Sequence, residues 1–68
     1  MVLTTKDIKV GDILNFCPNH DSQQAKVKIN KVSDRLVWIE FLEPFNNSYL
    51  AFVVGEKYIV DPANLHRL

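Results

Sequence analysis

Apolar and polar residues alternate along most of the chain with a period of two, the spacing of strands that bury one face. The clearest run is Ala25-Lys26-Val27-Lys28-Ile29, which turns Val27 and Ile29 inward and Lys26 and Lys28 to solvent. Val32 follows Ile29 by three residues, so the phase slips, and a bulge near Asn30-Lys31 is predicted. Upstream, residues 8–16 read as a short lead-in, a Gly11-Asp12 turn and a strand with Leu14 and Phe16 on one face. Pro18 ends that strand because it has no ladder donor, and residues 18–24 carry the composition of a loop. Ser33-Asp34 turns the chain into residues 35–42, rich in β-branched and aromatic side chains, and Pro44 stops that strand. Asn46-Asn47-Ser48 reads as a hairpin connection, with residues 49–54 returning antiparallel to 35–42. Gly55-Glu56 turns again into a short strand, Lys57-Tyr58-Ile59-Val60. Asp61 followed by Pro62 is the signature of a capped helical or 3-10 turn, with Leu65 and Leu68 on one side to plug an end of the sheet.

Five short strands and a terminal turn within 68 residues exclude a helical sandwich. An open flat sheet would leave one apolar face wet. The fold class predicted is therefore all-β: a five-stranded, partly open barrel with a short C-terminal helical or 3-10 turn, one domain over residues 1–68. Four stretches carry a resemblance: Val10-Gly11-Asp12-Ile13-Leu14, Lys26-Val27-Lys28-Ile29, the hairpin at Asn46-Asn47-Ser48, and Tyr58-Ile59-Val60-Asp61-Pro62-Ala63-Asn64-Leu65. Over residues 8–68 the chain resembles the SH3-like small barrels of the Tudor and KOW type. It is also similar in expected fold to the plasmid-encoded trimethoprim-resistant dihydrofolate reductases, tetramers of a short SH3-like chain whose catalytic strand carries Val-Gln-Ile-Tyr. Lys57-Tyr58-Ile59-Val60 stands at that place without the glutamine and tyrosine of the motif, so the resemblance does not bring the activity with it.

Composition narrows the function. A single cysteine makes no intramolecular disulfide, and structural zinc normally takes four Cys or His ligands, so packing or a second subunit must hold so small a core. Eight basic residues balance eight acidic ones, which argues against a binder that neutralises many phosphates while leaving a local patch open. The N-terminal residues do not read as a secretory signal and no apolar run reaches a membrane span, so a soluble, cytoplasmic protein is expected. Asn46-Asn47-Ser48 fits the glycosylation pattern but reads as a turn.

The apolar content, 47%, is large for one small barrel and falls on both faces of the strand at 35–42. With Val37, Ile39 and Phe41 inward, Leu36, Trp38 and Leu42 take the opposite face. In the segment 49–54, Leu50, Phe52 and Val54 fill one face, and Tyr49, Ala51 and Val53 the other. A domain of this size has no second layer for a second apolar face. Either curvature buries it, with Trp38 at the rim of the core, or it meets a second copy or a protein partner through Trp38, Leu36, Leu42, Tyr49, Phe45 and Tyr58. Phe41, Phe45, Tyr49 and Tyr58, with Glu40 or Glu43 beside them, could alternatively line an aromatic groove for cationic side chains. Lys26, Lys28, Lys31 and Arg35 form a local basic cluster, which serves either as a solvated strand face or as a nucleic-acid contact. Cys17-Pro18-Asn19-His20-Asp21 gathers a thiol, an imidazole and a carboxylate in one loop, too few ligands for a metal site and without a pocket for a nucleophile. The reading is a non-enzymatic interaction module without cofactor or metal. A nucleic-acid-binding barrel and an oligomeric enzyme with an inter-subunit site are the alternatives.

Overall fold

The computed structural model describes residues 3–18, 23–46 and 49–68. Seven strands occur among them: β1 (Ile13–Phe16), β2 (Ala25–Val32), β3 (Val37–Phe41), β4 (Phe45–Asn46), β5 (Ala51–Phe52), β6 (Lys57–Val60) and β7 (Leu65–His66). Five form one antiparallel sheet in the order β6-β3-β2-β1-β7, and β4 and β5 pair as a separate two-stranded ribbon.

The alternating runs fold as their period requires. Ala25, Val27 and Ile29 of β2 and Val37, Ile39 and Phe41 of β3 are buried, while Lys26, Lys28 and Asn30 face solvent. The register between β2 and β3 shifts between Ile29 and Lys31, at the bulge predicted from the spacing of Val32. Gly11 and Gly55 take φ of +93° and +92°, a backbone region that glycine occupies without Cβ strain. Gly11 closes the approach to β1, its N–H donating to the Ile29 carbonyl at 2.8 Å. Asp61 caps the turn Pro62–Asn64, its carboxylate accepting from the Ala63 N–H at 2.9 Å.

Four expectations are corrected. The segment 49–54 does not pair with β3: only Ala51 and Phe52 form a strand, and its partner is β4. Beyond Pro44 the chain doubles back on itself at Phe45, so the neighbour of β3 is β6, and the fifth strand of the sheet is Leu65–His66, which the sequence reading took as part of a terminal turn. Leu65 is buried in the core, but Leu68 is exposed and plugs nothing. Finally, the SH3-like barrel is not formed. β6 and β7 are the outer strands of the sheet and do not pair with each other, so it stays open. The two-residue β7 is too short to close it. The inner face is covered instead by Leu3 and Ile8 from the N-terminal segment and by Phe45 of the ribbon, with Leu50 and Phe52 packed against that core.

An aromatic surface beside an open sheet edge

Phe16, Phe41, Phe45, Phe52 and Tyr58 form a continuous aromatic cluster. Phe16 meets Phe45 edge-on at 5.0 Å and Phe41 at 5.4 Å, the offset geometry that ring quadrupoles favour. Phe41 stacks on Phe52 at 4.3 Å, and Phe52 meets Tyr58 at 4.8 Å. The cluster grades from core to surface: Phe16, Phe41 and Phe45 are buried, Phe52 is half-buried and Tyr58 is exposed.

This gradient splits the six residues expected at a partner surface. Phe45 is only 1% exposed and belongs to the core, because β4 folds inward over the sheet. Tyr58 lies on the inner side of β6, where the sheet ends, and Tyr49 is exposed in the connection before β5. Trp38 sits on the opposite, outer face of β3, half-buried, with Leu36 and Leu42 exposed at the two ends of that strand. The expected single face is therefore two surfaces on opposite sides of the sheet. They meet at β6, where Tyr58 pairs with Ile39 on the inner side and Ile59 with Trp38 on the outer. The cationic-groove arrangement is not assembled. Phe41 and Phe45 are core, Glu40 faces outward and accepts from Asn30 Nδ2 at 3.2 Å, and Glu43 accepts from the Lys26 N–H at 2.9 Å.

Sequence reasoning placed Val53 with Tyr49 on the second face but missed Val54 and Ile59 as surface residues. Tyr49, Val53, Val54, Tyr58 and Ile59 are 91%, 61%, 61%, 38% and 48% exposed, which gathers much of the large exposed apolar surface into one stretch of chain. The signal available was the run Tyr58-Ile59-Val60 itself: three apolar residues in succession cannot all face inward on a pleated strand.

The basic residues are also redistributed. Lys26 and Lys28 share the outer face with Lys31, whose Nζ lies 4.9 Å over the Trp38 ring. Lys57 joins them, since it pairs with Glu40 across β3. Arg35 does not: it lies in the β2–β3 turn beside an open cleft of about 380 Å³ that Leu3, Asp34, Asp61 and Pro62 also line. Cys17 is half-buried, with its N–H donating to the Asn64 carbonyl at 2.9 Å. Asn19, His20 and Asp21, the remainder of that candidate loop, lie outside the described residues, as do Asn47 and Ser48 of the hairpin and glycosylation triplet. Among the described residues no group of three or more His, Cys, Asp or Glu side chains could hold a metal ion, and no helix is long and apolar enough to cross a membrane.

No family model, curated protein or solved structure matches the chain. Together with the open sheet, this removes the resemblance to SH3-like small barrels and to the short-chain reductases. What stands is a small, mostly-β fold with an open antiparallel sheet, a short C-terminal turn and an aromatic cluster that reaches the surface.

Proposed function

We propose that the chain is a non-enzymatic protein-interaction module that binds through the apolar rim running from Tyr49 to β6. The observation that carries this reading is the concentration of exposed apolar side chains there, continuous through Phe52 and Tyr58 with the aromatic core. Such a patch next to a rigid cluster is the kind of surface that gains most from being covered, since each apolar Å² removed from water contributes roughly 25 cal/mol. Tyr58 presents a ring fixed on one side by Phe52, so little side-chain freedom is lost on binding. Trp38, Leu36 and Leu42 extend the same surface around β6 by way of Ile59.

The test is a pair of substitutions at exposed sites, Val54→Asp and Tyr58→Ala. Val54→Asp should leave the unfolding transition in place and Tyr58→Ala, which removes a ring packed on Phe52, should lower but not abolish it, while both abolish association, whether with itself or with a captured partner, as read by sedimentation and by affinity capture. Unchanged association in both variants would overturn the reading. A second reading, nucleic-acid binding on the outer face, is favoured by the four lysines around Trp38.

A further inference from the structure

We infer that the occupant of the β6 edge is a second copy of this chain, joined β6 to β6 across a two-fold axis at Ile59. This inference rests on the proposed interaction surface and assigns its partner.

The argument begins with the backbone. Phe41 N–H donates to the Glu56 carbonyl at 2.9 Å, which makes 41 and 56 a hydrogen-bonded pair of the β3–β6 ladder. In an antiparallel ladder hydrogen-bonded and non-hydrogen-bonded pairs alternate. Tyr58 and Val60 therefore point their N–H and C=O groups at Ile39 and Val37, and Lys57 and Ile59 point theirs outward, while the Asp61 carbonyl accepts from the Asn64 N–H at 3.0 Å. Among the described residues no strand takes the outer side of β6. The result is a row of alternate donors and acceptors flanked by exposed apolar side chains, a template for strand addition.

The side chains then select the register. A two-fold axis perpendicular to the sheet pairs residues facing the same way, so it lies between one residue of the strand and the copy of that residue. With the axis at Ile59, Ile59 meets the partner's Ile59, Tyr58 meets the partner's Val60, and Lys57 meets the partner's Asp61, each charge pair occurring twice. From 57 to 61 apolar opposes apolar and cation opposes anion, and the outward-pointing groups of Lys57 and Ile59, with the Asp61 N–H, supply about four inter-chain N–H···O bonds. An axis at Tyr58 sets Lys57 against Ile59, Glu56 against Val60 and Asp61 against Gly55, leaving no charge opposite an opposite charge. Asp61 is extended, with φ −75° and ψ 138°, so it can continue the strand. One carboxylate oxygen accepts from Ala63 N–H, and the side chain is exposed to solvent. A chain with formal charge zero brings little long-range repulsion to such a pairing.

Sedimentation of the full chain tests this, together with oxidation of Ile59→Cys in a Cys17→Ser background. The expected result is a species of twice the 7.8 kDa chain mass, covalently captured by Ile59→Cys because the Cα atoms of a hydrogen-bonded antiparallel pair stand about 5.5 Å apart, within disulfide reach. Lys57→Glu should weaken the dimer by about tenfold or more, and Lys57→Glu with Asp61→Lys should restore most of that. Thermal unfolding of each variant separates lost pairing from lost fold. A chain that stays monomeric at high concentration overturns the proposal, and so does a dimer that Ile59→Cys does not capture and the charge reversal does not weaken. If that monomer still binds another protein through Tyr58, the interaction surface survives and the second copy does not. Loss of both results removes both.

Discussion

Asp7 holds the start of the chain by hydrogen bonds that are strongest when its carboxyl is ionised. It accepts from the Thr4 N–H at 2.9 Å and from the Thr4 hydroxyl at 3.0 Å. These bonds, first from the backbone and then from the side chain, hold its carboxyl below the ordinary value of 3.8, and the Arg67 guanidinium adds to the effect. A carboxyl with a lower pKa in the folded than in the unfolded chain contributes stability that is fully present above the unfolded value and is lost as pH falls through the folded one. Asp7→Asn should therefore flatten the acid limb of stability below pH 3.8, read as denaturation midpoints at pH 5 and in that acid range. Equal acid loss in both proteins would remove Asp7 as the cause. At this scale the sequence was partly legible. Inward and outward positions followed from parity at Val27, Ile29, Val37, Ile39 and Phe41, but Phe45, expected at the surface beside Tyr58, is core, while Tyr58 stays exposed on the inner side of β6. Parity tells only which side of a strand a ring takes, not whether another segment covers that side.

Turns and bulges set where each element can begin. Gly55 at φ +92° lies between β5 and β6, its N–H donating to the Phe41 carbonyl at 2.8 Å, so it fixes the register of β6 on β3. No atom lies within 4 Å of a Cβ placed there, so Gly55→Ala meets no clash and costs only backbone strain, about 1–2 kcal/mol. A domain of this size should lose roughly 4–8 °C in Tm for each kcal/mol. A variant as stable as the parent would mean that the turn tolerates a side chain. The bulge at Ile29 to Lys31 and the Asp61-Pro62 cap were both readable, because each depends on residues adjacent in sequence. The pairing of 49–54 was misread because strand partners are chosen by distant contacts, here the stacking of Phe52 on Phe41 and the folding of Phe45 into the core.

Across the whole molecule, a neutral chain still separates its charges. Lys26, Lys28, Lys31 and Lys57 stand on the outer side of the sheet around Trp38, and Glu40 is the carboxylate that β1, β2, β3 and β6 contribute to it. The other described acidic residues, among them Asp7, Asp12, Asp34, Glu43, Glu56 and Asp61, lie in turns and connecting segments. If this face contacts phosphates, affinity for a single-stranded oligonucleotide should fall with added salt with a logarithmic slope near −3, about 0.7 per lysine neutralised. No retention on heparin at low salt would dismiss that reading. The ends of the chain are tied at the same scale: Arg67 donates from Nη2 to the Asp7 carbonyl at 2.6 Å and stands 4.0 Å from the Asp12 carboxylate. The sequence by itself determined the all-β class, the strand faces, the bulge and the terminal cap, because a period of two and a local turn are properties of neighbouring residues. Only the tertiary structure decided that the sheet stays open, that Leu65–His66 is its last strand, and that the unsatisfied surface is the rim at β6. Those outcomes depend on which distant segments pack over the core, and no local pattern encodes that.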